Sequence, residues 1–163
     1  MNETEMLATE LGQCLTQRGW CITTAESCTG GGLAQTITSI AGSSQWFEMG
    51  FVTYSNRAKQ KKLNISDDLL KTYGAVSEPV VTAMATNALL EAQADVAIAI
   101  SGIAGPDGGT PQKPIGTIWV AWAIGDDEPF SRLYQFSGSR EQIRQKTVIE
   151  ALWGLNKLLK STV

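Results

Sequence analysis

Asp95-Val96-Ala97-Ile98-Ala99-Ile100-Ser101 is a nearly continuous apolar run that includes β-branched residues. A strand apolar at both parities is covered on both faces, so this run reads as the central strand of a sheet with helices on either side. It opens into a long loop, residues 102–116 (GIAGPDGGTPQKPIG), which holds five glycines and three prolines. Upstream, Ser77-Glu78-Pro79 is a strong helix start with proline in the first turn, and that helix should run to about Gln93. Downstream, Thr117–Ile124 and Phe130–Phe136 read as two strands of an antiparallel hairpin. Ser139 with Gln142 forms a capping box that opens a last helix through about Lys160, with Ile143, Ala151, Leu152, Leu155 and Leu159 as its core-facing stripe.

The first half extends the pattern. Residues 3–18 have helical spacing, with Asn2 and Glu5 as a capping box and Gly19 as the stop. A strand over 20–25 leads into a helix over 30–41 that ends at Gly42. Phe47–Ser55 alternates as a strand, with a bulge expected at Gly50. NRAKQKKL (56–63) reads as a short basic helical turn, and Ser66 caps a short helix ending at Gly74. The expected fold is α/β, a three-layer α/β/α sandwich on a mixed, mainly parallel sheet, in one domain over 1–163.

Composition narrows the function. The chain has 163 residues, 43% hydrophobic and 18% charged, which suits a globular domain. A formal charge of −3 argues against a nucleic-acid partner. The run at 96–100 is too short to span a bilayer. Three cysteines lack metal-type spacing and leave one unpaired in any disulfide scheme. With no basic-then-apolar leader pattern, a reducing cytoplasm is expected. There is no histidine. Any nucleophilic site must therefore take its base from Lys, Tyr, a carboxylate or the chain's own amine.

No P-loop, dinucleotide fingerprint or S-x-x-K motif is present, and no carboxylate cluster has metal spacing. Three segments sit where strands end, the usual ligand edge of an open α/β sheet. The first, Thr24 to Gly32 (TAESCTGGG), combines hydroxyls, a thiol and glycines ahead of a helix. Ser27 or Cys28 there could act as a nucleophile, with N–H groups near Thr29, Gly30 and Gly31 receiving an oxyanion, or the hydroxyls could simply cap the helix. The second, Tyr54 to Lys59, offers Lys59 as a base if burial neutralises it; otherwise Lys59, Lys61 and Lys62 form a solvated face. The third is the glycine-rich loop from Ser101. Arg140 and Arg144 share a helix face, as an anion site or as an ordinary surface pair.

Taken together, TAESCTGG (24–31), GSSQWFEMGFVTYSNRAK (42–59), GAVSEPVV (74–81), SGIAGPDGG (101–109), KPIGT (113–117) and FSGSR (136–140) resemble the stand-alone nicotinamide mononucleotide deamidases. These are similar to the C-terminal domain of the competence/damage-inducible protein CinA. The resemblance spans roughly residues 5–155 and carries no metal-dependent pyrophosphatase-like domain. It implies a three-layer α/β/α fold, a homodimer, and hydrolysis of the carboxamide of nicotinamide mononucleotide to nicotinic acid mononucleotide and ammonia. No metal or cofactor is implied. By motif position Ser27 is the expected nucleophile, Lys59 the base and Tyr54 its hydrogen-bonding partner or relay. Cys28, Thr29, Gly30, Gly31, Ser101, Gly102 and Gly105 are expected around the substrate, with Arg140 on its phosphate and Arg144 one turn beyond. Two other readings stay open: a non-catalytic nucleotide-binding module, and a regulatory domain with a protein partner. Within the enzyme reading, Cys28 remains a rival nucleophile.

Overall fold

A computed structural model describes residues 1–161, so the last two residues of the expected 1–163 domain lie outside the described residues. Its elements are α1 (Glu3–Arg18), β1 (Ile22–Glu26), α2 (Gly32–Thr38), β2 (Phe47–Val52), α3 (Asn56–Leu63), α4 (Asp67–Tyr73), α5 (Glu78–Ala92), β3 (Val96–Gly102), β4 (Thr117–Ile124), β5 (Phe130–Gln135) and α6 (Arg140–Ser161). The five strands run in the order β2-β1-β3-β4-β5. β1 is parallel to both β2 and β3, and β4 is antiparallel to β3 and β5. The protein is an α/β three-layer sandwich on a mixed sheet.

Side-chain size along β3 explains the layering. Val96, Ile98 and Ile100 enter one core, with Leu11, Leu15, Leu33, Ile37 and the α6 stripe. Ala97 and Ala99 enter the other, beneath Val80, Val81 and Met84 of α5. Small residues on that face let α5 approach the sheet closely, while the branched face fills the wider gap to α1, α2 and α6. Both capping boxes form: Asn2 and Glu5 exchange bonds at α1, and the Ser139 and Gln142 side chains do so at α6.

Boundaries differ from expectation at several elements: the strand expected over 20–25 runs Ile22–Glu26, and two further differences have a clear local reason. The helix expected over 30–41 is only Gly32–Thr38, because Gly30 (φ 58°) and Gly31 (φ 102°) take left-handed backbone that no α-helix continues. Beyond it the chain makes a short 3₁₀ turn, Ser43–Gln45. The strand expected over 47–55 stops at Val52, and Ser55 instead caps α3 by accepting from the Ala58 N–H at 3.0 Å. The expected bulge is present: Ile22 and Thr24 of β1 pair with Phe47 and Gly50, so β2 carries one extra residue between them.

Close packing of α6 on the sheet yields a stability prediction. A Cβ on Gly154 would stand 2.4 Å from the Trp122 ring, which is buried and donates from Nε1 to the Ala151 carbonyl at 2.9 Å. Alanine would improve helix propensity by about 1 kcal/mol. Overpacking against a fixed ring costs about 1–3 kcal/mol. Gly154→Ala should therefore lower the melting temperature, and a thermal melt showing stabilisation would contradict this packing.

Candidate active site

Because β1, β2 and β3 are parallel, their carboxyl ends share one edge of the sheet. Glu26 pairs with Val52 on one side and Ile100 on the other, so Ser27, Thr53 and Ser101 follow at one level. The Ser27 N–H donates to the Ile100 carbonyl at 3.1 Å, and the Thr53 N–H to the Glu26 carbonyl at 2.9 Å. The chain order of the strands thus brings the three segments to the mouth of one cavity of about 260 Å³.

At its base Lys59 Nζ donates to Ser27 Oγ at 2.9 Å. It also donates to the Thr53 carbonyl at 2.8 Å and the Tyr54 carbonyl at 3.3 Å. Lys59 is 1% exposed and, among the described residues, forms no ion pair. The surroundings hydrate an ammonium poorly and supply no countercharge. Burial therefore pushes the Lys59 pKa down from 10.5 to about 8, against a weaker opposing influence of the Cys28 thiol. About a tenth of the side chain is then neutral at pH 7, against well under 0.1% for an ordinary lysine. The Ser27 hydroxyl, with its oxygen facing Lys59, lies 3.4 Å from the Tyr54 carbonyl.

The turn that carries Ser27 is held by a residue that periodicity does not reveal. Glu26 is fully buried and accepts from Thr29 Oγ1 (2.6 Å), the Leu33 N–H (2.8 Å) and the Ala34 N–H (3.0 Å). Its carboxylate therefore does what a capping hydroxyl would otherwise do at α2, and Ser27 is released from that task. The Gly30 N–H is also taken, by the Ser27 carbonyl at 3.0 Å. Sequence could have hinted at this: a helix opening on glycines, with no hydroxyl at its cap, needs some other acceptor.

Of the residues singled out from sequence, Ser27, Cys28, Tyr54, Lys59, Ser101, Gly102, Gly105 and Arg140 line the cavity. Thr29, Gly30, Gly31 and Arg144 do not. Arg144 lies behind the turn, where Nη2 donates to the Thr29 carbonyl at 3.1 Å. Arg140 instead reaches the rim, donating to the Gly105 carbonyl (2.7 Å) and the Tyr54 phenol (2.9 Å). Tyr54 thus meets Ser27 and Lys59 through its backbone carbonyl and Arg140 through its side chain. Ser101 is buried and donates to the Ala75 carbonyl at 2.8 Å. Cys28 is packed in the core, and burial pushes its thiol up to about 12. Asn56 and Asp107 also line the cavity, without having been singled out.

Ser27 and Lys59 form a hydroxyl–amine pair of the kind used for acyl transfer, with a cationic rim group beside it. Comparison with known proteins agrees with a shared architecture. The CinA C-terminal domain family matches residues 4–159. The nicotinamide-nucleotide amidohydrolase PncC of Escherichia coli (strain K12) is 52% identical over 151 residues, covering 93% of this chain and 92% of that protein. The PncC of Pseudomonas putida is 51% identical over 158 residues, covering 97% and 98%. The crystal structure of competence damage-inducible protein A (ComA) from Klebsiella pneumoniae subsp. pneumoniae MGH 78578 has a TM-score of 0.94 at 40% identity, over 98% of both chains. With the match running through nearly the whole chain, and through every strand that feeds the cavity, this protein belongs to the CinA C-terminal domain family.

Proposed function

We propose that this chain is a nicotinamide-nucleotide amidohydrolase that converts nicotinamide mononucleotide to nicotinic acid mononucleotide and ammonia through a Ser27–Lys59 site. The observation that carries the reading is the 2.9 Å contact from a buried, unpaired lysine to a serine hydroxyl at the ligand edge of the sheet. Relatives about half identical over almost their full length bear the name of that activity.

In this mechanism neutral Lys59 accepts the Ser27 proton as Oγ attacks the carboxamide carbon. The resulting oxyanion is received at the Ser27 turn by the backbone N–H of Cys28, which lines the cavity, since those of Ser27 and Gly30 are already bonded. Lys59 returns the proton to the departing nitrogen, the C–N bond breaks and ammonia leaves a nicotinoyl ester on Ser27. Water then attacks that ester while Lys59 takes its proton, and the same proton restores the serine hydroxyl. Arg140, exposed at the rim, receives the phosphate. The cationic ring makes the carboxamide more electrophilic and disfavours a protonated Lys59 beside it. Ammonia release from nicotinamide mononucleotide by the metal-stripped protein tests the assignment, and saturable binding without ammonia would replace it with a non-catalytic nucleotide module.

Cys28 is set aside as nucleophile on magnitude. With its pKa pushed up to about 12, its thiolate fraction at pH 7 is about one in 100,000. Cys28→Ala should keep turnover within about threefold of the parent, the loss reflecting packing beside Ser27 rather than chemistry. Loss of activity comparable to a Ser27 variant, in a protein with an unchanged melt, would transfer the nucleophile to the thiol.

A further inference from the structure

The cavity contains one carboxylate, Asp107, and one guanidinium, Arg140. They do not pair: Arg140 donates from one terminal nitrogen to the Gly105 carbonyl and from the other to the Tyr54 phenol, which leaves further N–H groups for a ligand. The cation within Asp107's own loop, Lys113, is also turned away, donating to the Tyr73 carbonyl at 2.8 Å. Asp107 therefore enters no ion pair among the described residues. Its loop is nonetheless tied down. The Gly116 N–H donates to the Ile103 carbonyl at 2.7 Å, the Thr110 N–H to the Lys113 carbonyl at 2.9 Å, and Arg140 holds Gly105. Opposite charges lining one cavity, with Arg140 held by Gly105 and Tyr54 and Asp107 in no ion pair among the described residues, suit a ligand that carries both signs.

We infer that Asp107 is a specificity residue that recognises the positive ring of a pyridinium mononucleotide, while Arg140 takes the negative end. This deepens the amidohydrolase reading above and rests on it. A cationic ring placed near Lys59 lowers the cost of keeping that amine neutral, but it also opposes binding whenever Lys59 is protonated. A carboxylate on the ring's other side offsets that repulsion without touching the reacting amide. The consequence is selection by redox state: the oxidised, cationic mononucleotide is bound in preference to its 1,4-dihydro form, which has the same amide, ribose and phosphate but a neutral ring.

The test is calorimetric titration of the Ser27→Ala protein with oxidised and 1,4-dihydro nicotinamide mononucleotide, repeated with Asp107→Asn added. The oxidised form should bind more tightly to Ser27→Ala. Adding Asp107→Asn should weaken that form about fivefold, the upper range for an exposed charge pair, and leave the dihydro form within about twofold. The fivefold loss should shrink as salt is raised. In the otherwise unaltered enzyme, Asp107→Asn should raise KM more than it lowers kcat. Equal weakening of both forms with an unchanged melt would overturn the inference in favour of a ribose contact or a loop role, and no weakening of either would overturn it outright. Failure of the parent reading looks different: the unaltered protein would release no ammonia, and neither mononucleotide would bind Ser27→Ala.

Discussion

Ser27→Ala is expected to lower the kcat for ammonia release by about 10⁴- to 10⁶-fold, the range for removing a nucleophile that works as a unit with its base. The fold should survive. Ser27 is almost fully buried, but its hydroxyl meets only Lys59 and the Tyr54 carbonyl. In the variant, Lys59 keeps the Thr53 and Tyr54 carbonyls as acceptors, so the stability change should stay near about 1 kcal/mol. No neighbour can stand in as nucleophile, since the adjacent thiol is held protonated by burial. Single-turnover assays that find more than a few per cent of parental activity would remove Ser27 from the chemistry. A collapsed melt would show instead that its hydroxyl is needed for the turn.

What made this site legible was the pairing of strand ends with residue types. The apolar run at 96–100 implied a doubly covered strand, and a parallel sheet then required the residues after β1, β2 and β3 to meet. Ser27 and Lys59 could be put near each other on that basis, because hydroxyl, amine and missing histidine are all properties of the sequence. Burial of the amine was not legible, since Lys59 sits in a basic stretch, NRAKQKKL, that reads equally as a solvated face. Only the packing of α3 against α5 decides which of its lysines points inward. Nor did spacing separate Arg140 from Arg144. One helical turn puts both on one face, yet the Thr29 carbonyl takes the second and the rim takes the first. Glu26 escaped for a different reason: a buried carboxylate has no periodicity, and its role depends on left-handed Gly30 and Gly31 bringing the Leu33 and Ala34 N–H groups within reach.

The second large effect is carried by Lys59, and its signature is a pH dependence with a definite sign. In the proposed mechanism the neutral amine is the active form, so kcat/KM should rise about tenfold per pH unit below about 8 and level off above it. Lys59→Met should remove most of the activity at every pH. Stability should report the same pKa independently. Between about 8 and 10.5 the unfolded chain binds a proton at Lys59 that the folded chain has released, so parental stability rises with pH across that window relative to Lys59→Met. Below pH 8 the penalty for burying the charge is fully present, and it amounts to about 3–4 kcal/mol at most. The absolute offset between the two proteins is a poor guide, because methionine leaves the Thr53 carbonyl without its donor, at about 1–3 kcal/mol, and the Tyr54 carbonyl with only the Ser27 hydroxyl. The slope of the difference is free of that term, since those carbonyls do not titrate. Denaturant unfolding of both proteins from pH 7 to pH 10.5 therefore isolates the lysine. A flat difference together with a flat rate profile would mean that Lys59 has an ordinary pKa, and that the buried pair is structural rather than a base and its nucleophile.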